Sequence, residues 1–222
     1  MTTEIITGST DSHLVRLDEN QFIHKQLSQP LLDLQLAGRE AGFDIKICSA
    51  YRSFDRQLII WNGKASGMRS VMDPFGKPIN MQTLDSWQKI QAILRWSALP
   101  GASRHHWGTD FDIYDANAMP EGYQIQLTPE EVQGDGLFAP MHDWLDDYLS
   151  CGQTDFYRPY EFDRGGIAPE RWHLSYRPLA DKYAQMLNTD VLSDRLQDSN
   201  LMLLDVVLEH LDDIFQRFII VD

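Results

Sequence analysis

The chain has 222 residues, 43% hydrophobic and 11% aromatic, enough for one well-packed domain rather than two. Nineteen Lys and Arg against 33 Asp and Glu give a net charge of −14, which argues against a nucleic-acid partner or an anionic membrane surface, because phosphate binding needs a basic face. No window approaches the ~18 uninterrupted apolar residues of a membrane span. Only two cysteines are present, Cys48 and Cys151, which make neither a disulfide framework nor a thiolate metal pattern and are expected as buried free thiols. Met1 to Gly8 contains no basic and then apolar leader pattern, so a cytoplasmic location is expected for the sequence as written, and a periplasmic one only if a leader has been trimmed.

In chain order, Ser28-Gln29-Pro30 followed by Leu31, Leu32, Leu34, Leu36 and Ala37 predicts a capped helix ending near Gly42. Phe43, Ile45 and Ile47 alternate with polar residues as a strand does, delivering the chain to Ser49-Ala50-Tyr51-Arg52-Ser53. Ser53 can cap the next helix, with Leu58, Ile59 and Trp61 on its apolar side. Residues 62–82, with Gly63, Gly67, Pro74, Gly76 and Pro78, read as a long loop walling a cleft. A helix is expected from Thr83 to Ala98 on the face of Leu84, Trp87, Ile90, Ile93 and Leu94, with Trp87 and Trp96 in the core. Pro100-Gly101 ends it.

After a turn at Gly108, Thr109, Phe111 and Ile113 alternate with Asp110, Asp112 and Tyr114, so Asp110 and Asp112 share one strand face. Tyr123, Ile125 and Leu127 alternate before Thr128-Pro129-Glu130-Glu131, a capping box whose acidity suits the helix dipole. Met141, Trp144, Leu145, Tyr148 and Leu149 mark a helix closed by Gly152, with His142 on its solvent side. Phe156 to Phe162 reads as a strand, Gly165-Gly166 as a turn, and Trp172 to Tyr176 as a last strand. Beyond Pro178, Leu179, Tyr183, Met186 and Leu187 form one helical face. Leu201, Leu204, Val207, Leu208, Leu211, Phe215 and Phe218, ending in Ile219-Ile220-Val221, form a long apolar stripe. It is expected either to pack on the same domain or to make a homo-oligomer interface.

Two stretches carry the chemistry: Ser103-Arg104-His105-His106-Trp107-Gly108-Thr109-Asp110-Phe111-Asp112 and Glu170-Arg171-Trp172-His173. His105, Asp112 and His173 make a ligand set suited to a catalytic Zn²⁺, which takes three protein ligands and keeps a fourth position for water. Glu170, three residues before His173, can reach that water and take its proton. His106 is the rival of His105, but adjacent residues in an extended segment point apart. The helical H-E-x-x-H signature is absent. A two-His-one-carboxylate iron site is a poorer match, because its His and Asp usually stand two residues apart and it has no use for Glu170. His13, His24 and His210 have no motif context.

These residues resemble the LAS-type zinc D-alanyl-D-alanine carboxypeptidases and dipeptidases, VanY-like and VanX-like, whose pattern is S-x-H-x-x-G-x-A-x-D and then E-x-W-H. Ser103, His105, Gly108, Asp112, Glu170, Trp172 and His173 stand in those places. Asp110 replaces the usual alanine and bears on substrate preference and metal charge balance. Ser49-Ala50-Tyr51-Arg52-Ser53-Phe54-Asp55-Arg56-Gln57 is similar to the family's S-G-Y-R-S-x-x-x-Q, with Ala50 for glycine. By resemblance, Arg52 binds the scissile carbonyl or a substrate carboxylate, where a planar guanidinium suits an oxygen bearing negative charge. Ser103 and Gln57 are implied as substrate contacts.

The resemblance covers about residues 30–180. The elements above make a mixed α+β domain with the site on a small antiparallel sheet flanked by helices, and the metal expected there is one Zn²⁺ per chain. A single peptidase domain is expected over 1–188 and a C-terminal helical extension over 189–222. The implied function is hydrolysis of a peptide bond next to a D-amino acid, in a small peptide or cell-wall stem peptide, as a carboxypeptidase or dipeptidase. An endopeptidase of the same family and a catalytically silent peptide-binding module are the alternatives.

Overall fold

The computed structural model describes residues 2–73 and 76–220, so Met1, Pro74 and Val221 lie outside the described residues. A short helix α1 (Thr3–Ile6) is followed by a hairpin of β1 (Leu14–Arg16) and β2 (Phe22–His24), then α2 (Ser28–Glu40), β3 (Ile45–Ser49), α3 (Phe54–Ala65) and α4 (Ser86–Leu94). Next come β4 (Asp110–Asp115), α5 (Pro129–Val132), α6 (Ala139–Ser150), β5 (Phe156–Tyr157), β6 (His173–Tyr176) and α7 (Arg177–Ala184). The chain closes with α8 (Thr189–Gln197), α9 (Leu204–Glu209), α10 (Leu211–Ile214) and a π-helical turn, Phe215–Ile219.

Four strands make one antiparallel sheet in the order β3-β4-β6-β5. Its register pairs Asp112 with His173 and Asp110 with Ser175, while Ser49 lies beside Asp112 across a bulge that comes after Ile47. A bulge bends its strand and re-aims the residues beyond it; here the chain leaves β3 toward Tyr51 and Arg52. The alternation expected in β4 sends Phe111 and Ile113 into the core, both essentially unexposed. They join Trp61 of α3, Ile90 and Ile93 of α4, Leu145 of α6 and Leu174 of β6 in one continuous apolar cluster. At about 25 cal/mol per Å² of apolar area, each such side chain contributes roughly 1.5–3 kcal/mol.

Two helix starts follow their local signals, whereas Ser28 is the first residue of α2 and gives it no side-chain cap. The Ser53 hydroxyl accepts from Arg56 N, and Thr128 and Glu131 form the expected capping box. Several expectations are corrected. The α4 helix starts later than Thr83, because Asp85 and Gln88 form their own capping box, and it ends at Leu94. The loop starts at Ser66 rather than 62, since α3 runs to Ala65, and Ile59 points outward. Only Phe156 and Tyr157 pair as a strand, because Pro159 has no N–H to continue a ladder. His142 is fully buried instead of solvent-facing, beneath the Arg158 side chain. Cys151 is exposed and Cys48 half-buried.

The C-terminal stripe is not one helix. It is broken at Leu203, whose φ of 66° is left-handed, and again at His210. Its apolar side chains Leu201, Val207, Leu211, Ile214 and Phe218 are buried in the same core as the sheet. Trp61 Nε1 donates to Met202 O, and Asn62 bonds Asn200 and Met202. The N-terminal segment is equally engaged. Trp107 Nε1 donates to Ile6 O, Phe54 N donates to Gly8 O, and Arg195 of α8 donates to Ser9 Oγ. Gly8 (φ +73°) packs so tightly on the His106 ring that an added Cβ would lie 2.4 Å from its Nδ1.

Candidate active site

His105 sits in a short 3-10 turn, Arg104–Trp107, that ends on Gly108 at φ 66°, a left-handed conformation open to glycine without strain. An added Cβ there would also strike Leu14 and the backbone of His24. That turn aims His105 at the end of β4, beside Asp112 and across from His173. The three residues offer ligand atoms within 4.8 Å of one another, all buried, and could hold a metal ion.

The remaining ring nitrogens are already occupied. His105 Nδ1 lies 2.8 Å from Ala50 O, which leaves Nε2 toward Asp112 Oδ2 at 3.5 Å. His173 Nε2 lies 3.1 Å from Asp110 Oδ1, leaving Nδ1 on Asp112 Oδ1 at 3.1 Å. One nitrogen held by an oxygen and the other directed at a common point is how metal-binding histidines are oriented. His106, the rival, is turned away: its Nε2 accepts from Gly101 N and its Nδ1 bonds Arg52 O.

Asp110 shares the face of Asp112, as the alternation required, and anchors a buried network. Arg104 Nε donates to Asp110 Oδ1 at 2.8 Å and Thr109 Oγ1 to Oδ2 at 2.7 Å. Arg104 also reaches Tyr157 and Ser175. Burial alone would raise the Asp110 pKa, but Arg104 and His173 hold the carboxyl well below its usual range. Burial likewise works against a charge on His173, yet its hydrogen bonds to Asp110 and Asp112 hold the imidazole up at about 9.

Glu170 Oε2 lies 3.7 Å from His173 Nδ1, and burial pushes its carboxyl up to about 7 against the pull of His173. Arg52 is braced by neutral oxygens, donating from Nη1 to Gln57 Oε1 at 2.9 Å and from Nη2 to Ser49 Oγ at 3.2 Å. Gln57 is fully buried and donates onward to Ala98 O, so its contacts are with Arg52 and the scaffold. A cavity of about 520 Å³ opens over these groups, with Arg52, Ser103, His105, Asp112, Glu170 and His173 on its walls. Met72 and Gly76 of the 66–80 loop line it, as a cleft wall was expected to do. Trp96, expected in the core, lines it too, and so does Lys64, which sequence reasoning passed over for want of a motif.

A cleft whose floor is a His-Asp-His set drawn from one turn and two strands, with a second, largely covered carboxylate alongside, has the layout of a metal-dependent hydrolase. The VanY family model, D-alanyl-D-alanine carboxypeptidase, matches residues 20–179. The chain therefore belongs to that family.

Two Haemophilus influenzae relatives, both uncharacterized proteins, are similar in sequence. One is 44% identical over 103 residues, spanning 45% of this chain and 70% of the relative; the other is 33% identical over 124 residues, spanning 55% and 93%. Among solved structures, a mutant of the vancomycin-resistance D,D-pentapeptidase VanY in complex with Zn(II) is 25% identical with a TM-score of 0.52, covering 82% of this chain and 90% of that one. VanYB in complex with D-alanine-D-alanine is 24% identical with a TM-score of 0.53, covering 86% and 91%. The LD-carboxypeptidase LdcB shares the fold at 20% identity and a TM-score of 0.54, covering 95% and 80%. Among the described residues, no helix is long and apolar enough to cross a membrane.

Proposed function

We propose that this chain is a zinc-dependent peptidase that hydrolyses the bond next to a D-amino acid in small peptides or cell-wall stem peptides, as a D-Ala-D-Ala carboxypeptidase or dipeptidase. The observation that carries the reading is the convergence of His105 Nε2, His173 Nδ1 and the Asp112 carboxylate on one point, with Glu170 beside them. His105, Asp112 and His173 would hold one Zn²⁺ per chain, and when bound the ion supplies Lewis acidity to water and carbonyl. Glu170 takes the proton of the attacking water and returns it to the leaving amine. A carboxyl held near neutrality by burial suits both halves of that exchange. Arg52, braced by Gln57 and Ser49, donates to the scissile carbonyl oxygen as it becomes negative. Gln57 acts through Arg52 as a positioning residue, and Ser103, on the cavity wall, offers a hydroxyl to the peptide.

Mass spectrometry of muropeptides and of D-Ala-D-Ala incubated with the zinc-loaded protein tests the reading. Loss of one terminal alanine selects the carboxypeptidase and a split dipeptide selects the dipeptidase. An internal cut selects an endopeptidase, and no turnover with zinc bound selects a silent binding module. Glu170→Gln is expected to keep zinc by elemental analysis and to lose roughly 10²–10⁴-fold in turnover, because an amide cannot accept the proton. Release of the metal by that variant would make Glu170 a ligand.

A further inference from the structure

Among the charged groups on the cleft wall that have no part in that mechanism, Lys64 stands out. Lys64, in the last turn of α3, lines the cavity with Arg52, Glu170 and the Trp96-Ser97-Ala98 segment. Its Nζ donates to Ser97 Oγ at 2.7 Å, and among the described residues it forms no salt bridge. Arg52 is in the same state, since its terminal nitrogens reach only the neutral oxygens of Gln57 and Ser49. Two half-buried cations whose hydrogen bonds go to neutral partners stand out in a chain where acidic residues outnumber basic ones 33 to 19. Desolvation is costly for an ammonium and draws Lys64 down to about 8 against the pull of the Glu170 charge. An entering anion reverses that cost. Lys64 and Glu170 line the same cavity, so the ammonium shares the cleft with the group assigned as the base.

We propose that Lys64 is the receptor for the free C-terminal carboxylate of the peptide, which makes the cleft an exopeptidase site rather than one for internal cuts. The proposal rests on the peptidase reading above. An extended residue spans at most about 3.3–3.6 Å, so a receptor serving a one-residue leaving group has to stand close to the base. The Ser97 hydroxyl accepts from Lys64, which leaves its own hydrogen for the second carboxylate oxygen. Trp96, in the same stretch of wall, has a buried indole N–H with no partner among the described residues.

The test compares kcat/KM for an acetylated peptide ending in D-Ala-D-Ala, its C-terminal amide, and an amidated peptide bearing a side-chain carboxylate. Wild type, Lys64→Met, Lys64→Gln and Lys64→Arg are assayed zinc-loaded, each with its thermal midpoint. Wild type should favour the free acid. The two neutral variants should lose roughly 10–100-fold on it, chiefly in KM, while the acid-over-amide ratio falls toward one and Lys64→Arg recovers part of it. Equal losses on acid and amide, or a preference that tracks the side-chain carboxylate, would overturn the proposal. Calorimetric binding of acid and amide to the same proteins separates the two readings. Acid-selective, Lys64-dependent binding without turnover keeps the carboxylate receptor and removes the peptidase; turnover with no acid preference does the reverse.

Discussion

Asp110 shows what a single side chain can add to a metal site without touching the ion. Its carboxylate accepts from His173 and is fixed by Arg104 and Thr109, so it sets the tautomer and tilt of that imidazole. Replacing it by Asn keeps the shape but loses the charge. Asp110→Asn is therefore expected to bind zinc roughly 10–100-fold more weakly in a competition titration, with turnover recovered at high metal concentration. Unchanged affinity would leave Asp110 as a structural partner of Arg104 alone. That Asp110 and Asp112 share a face was legible from the alternation along 109–114. Arg104 was not, because its importance depends on Tyr157 and Ser175, brought near only by the pairing of β4, β6 and β5.

Among the elements, the segment before α5 shows how a local signal can hide a longer-range task. Thr128 and Glu131 were readable as a capping box, with the acidity assigned to the helix dipole. The Glu131 carboxylate also accepts from Tyr123 OH and Gln126 N at 2.8 Å, tying the preceding loop down. That loop presents Gln126, Leu127 and Thr128 to the cavity, with Leu127 in a left-handed conformation (φ 54°) costly for a branched side chain. Glu131→Ala should free the loop: KM is expected to rise more than kcat falls, and stability to drop by about 1–3 kcal/mol from the stranded donors. Steady-state kinetics with urea unfolding checks both. The β1-β2 hairpin was missed for the opposite reason, since three-residue strands leave too short a pattern to recognise.

At the scale of the whole molecule, several histidines share one fate. His13, His24 and His142 are buried outside the metal set, and desolvation lowers all three, His24 to about 4 and His142 to about 2. An unfolded histidine takes up its proton near 6.5, so below that pH the unfolded chain binds more protons than the folded one. The share of stability held by these histidines is then complete above about 6.5 and falls as the pH drops toward 4, with His142 still contributing lower down. Chemical denaturation from pH 7 to 4 should show that decline, and His142→Gln should flatten it; a parallel curve for the variant would remove His142 as a cause. No sequence pattern announced this, because His142 occupies a polar helical position and is met there by Arg158, arriving from just beyond β5.

The engagement of both chain ends sets descent apart from folding. The span shared with the D-alanyl-D-alanine carboxypeptidase family is 20–179, yet Ile6, Gly8 and Ser9 before it are joined to Trp107, Phe54 and Arg195. Leu192, Val207 and Ile214 after it fill the same core as the sheet. The border drawn by inheritance therefore runs through the interior of the molecule, and an excised 20–179 fragment would carry the family's chemistry without the walls that hold it in shape. Mutational tolerance should track the interior rather than the border: a side chain added at Gly8 presses on His106, one residue from the candidate ligand His105, although no family signature reaches that far.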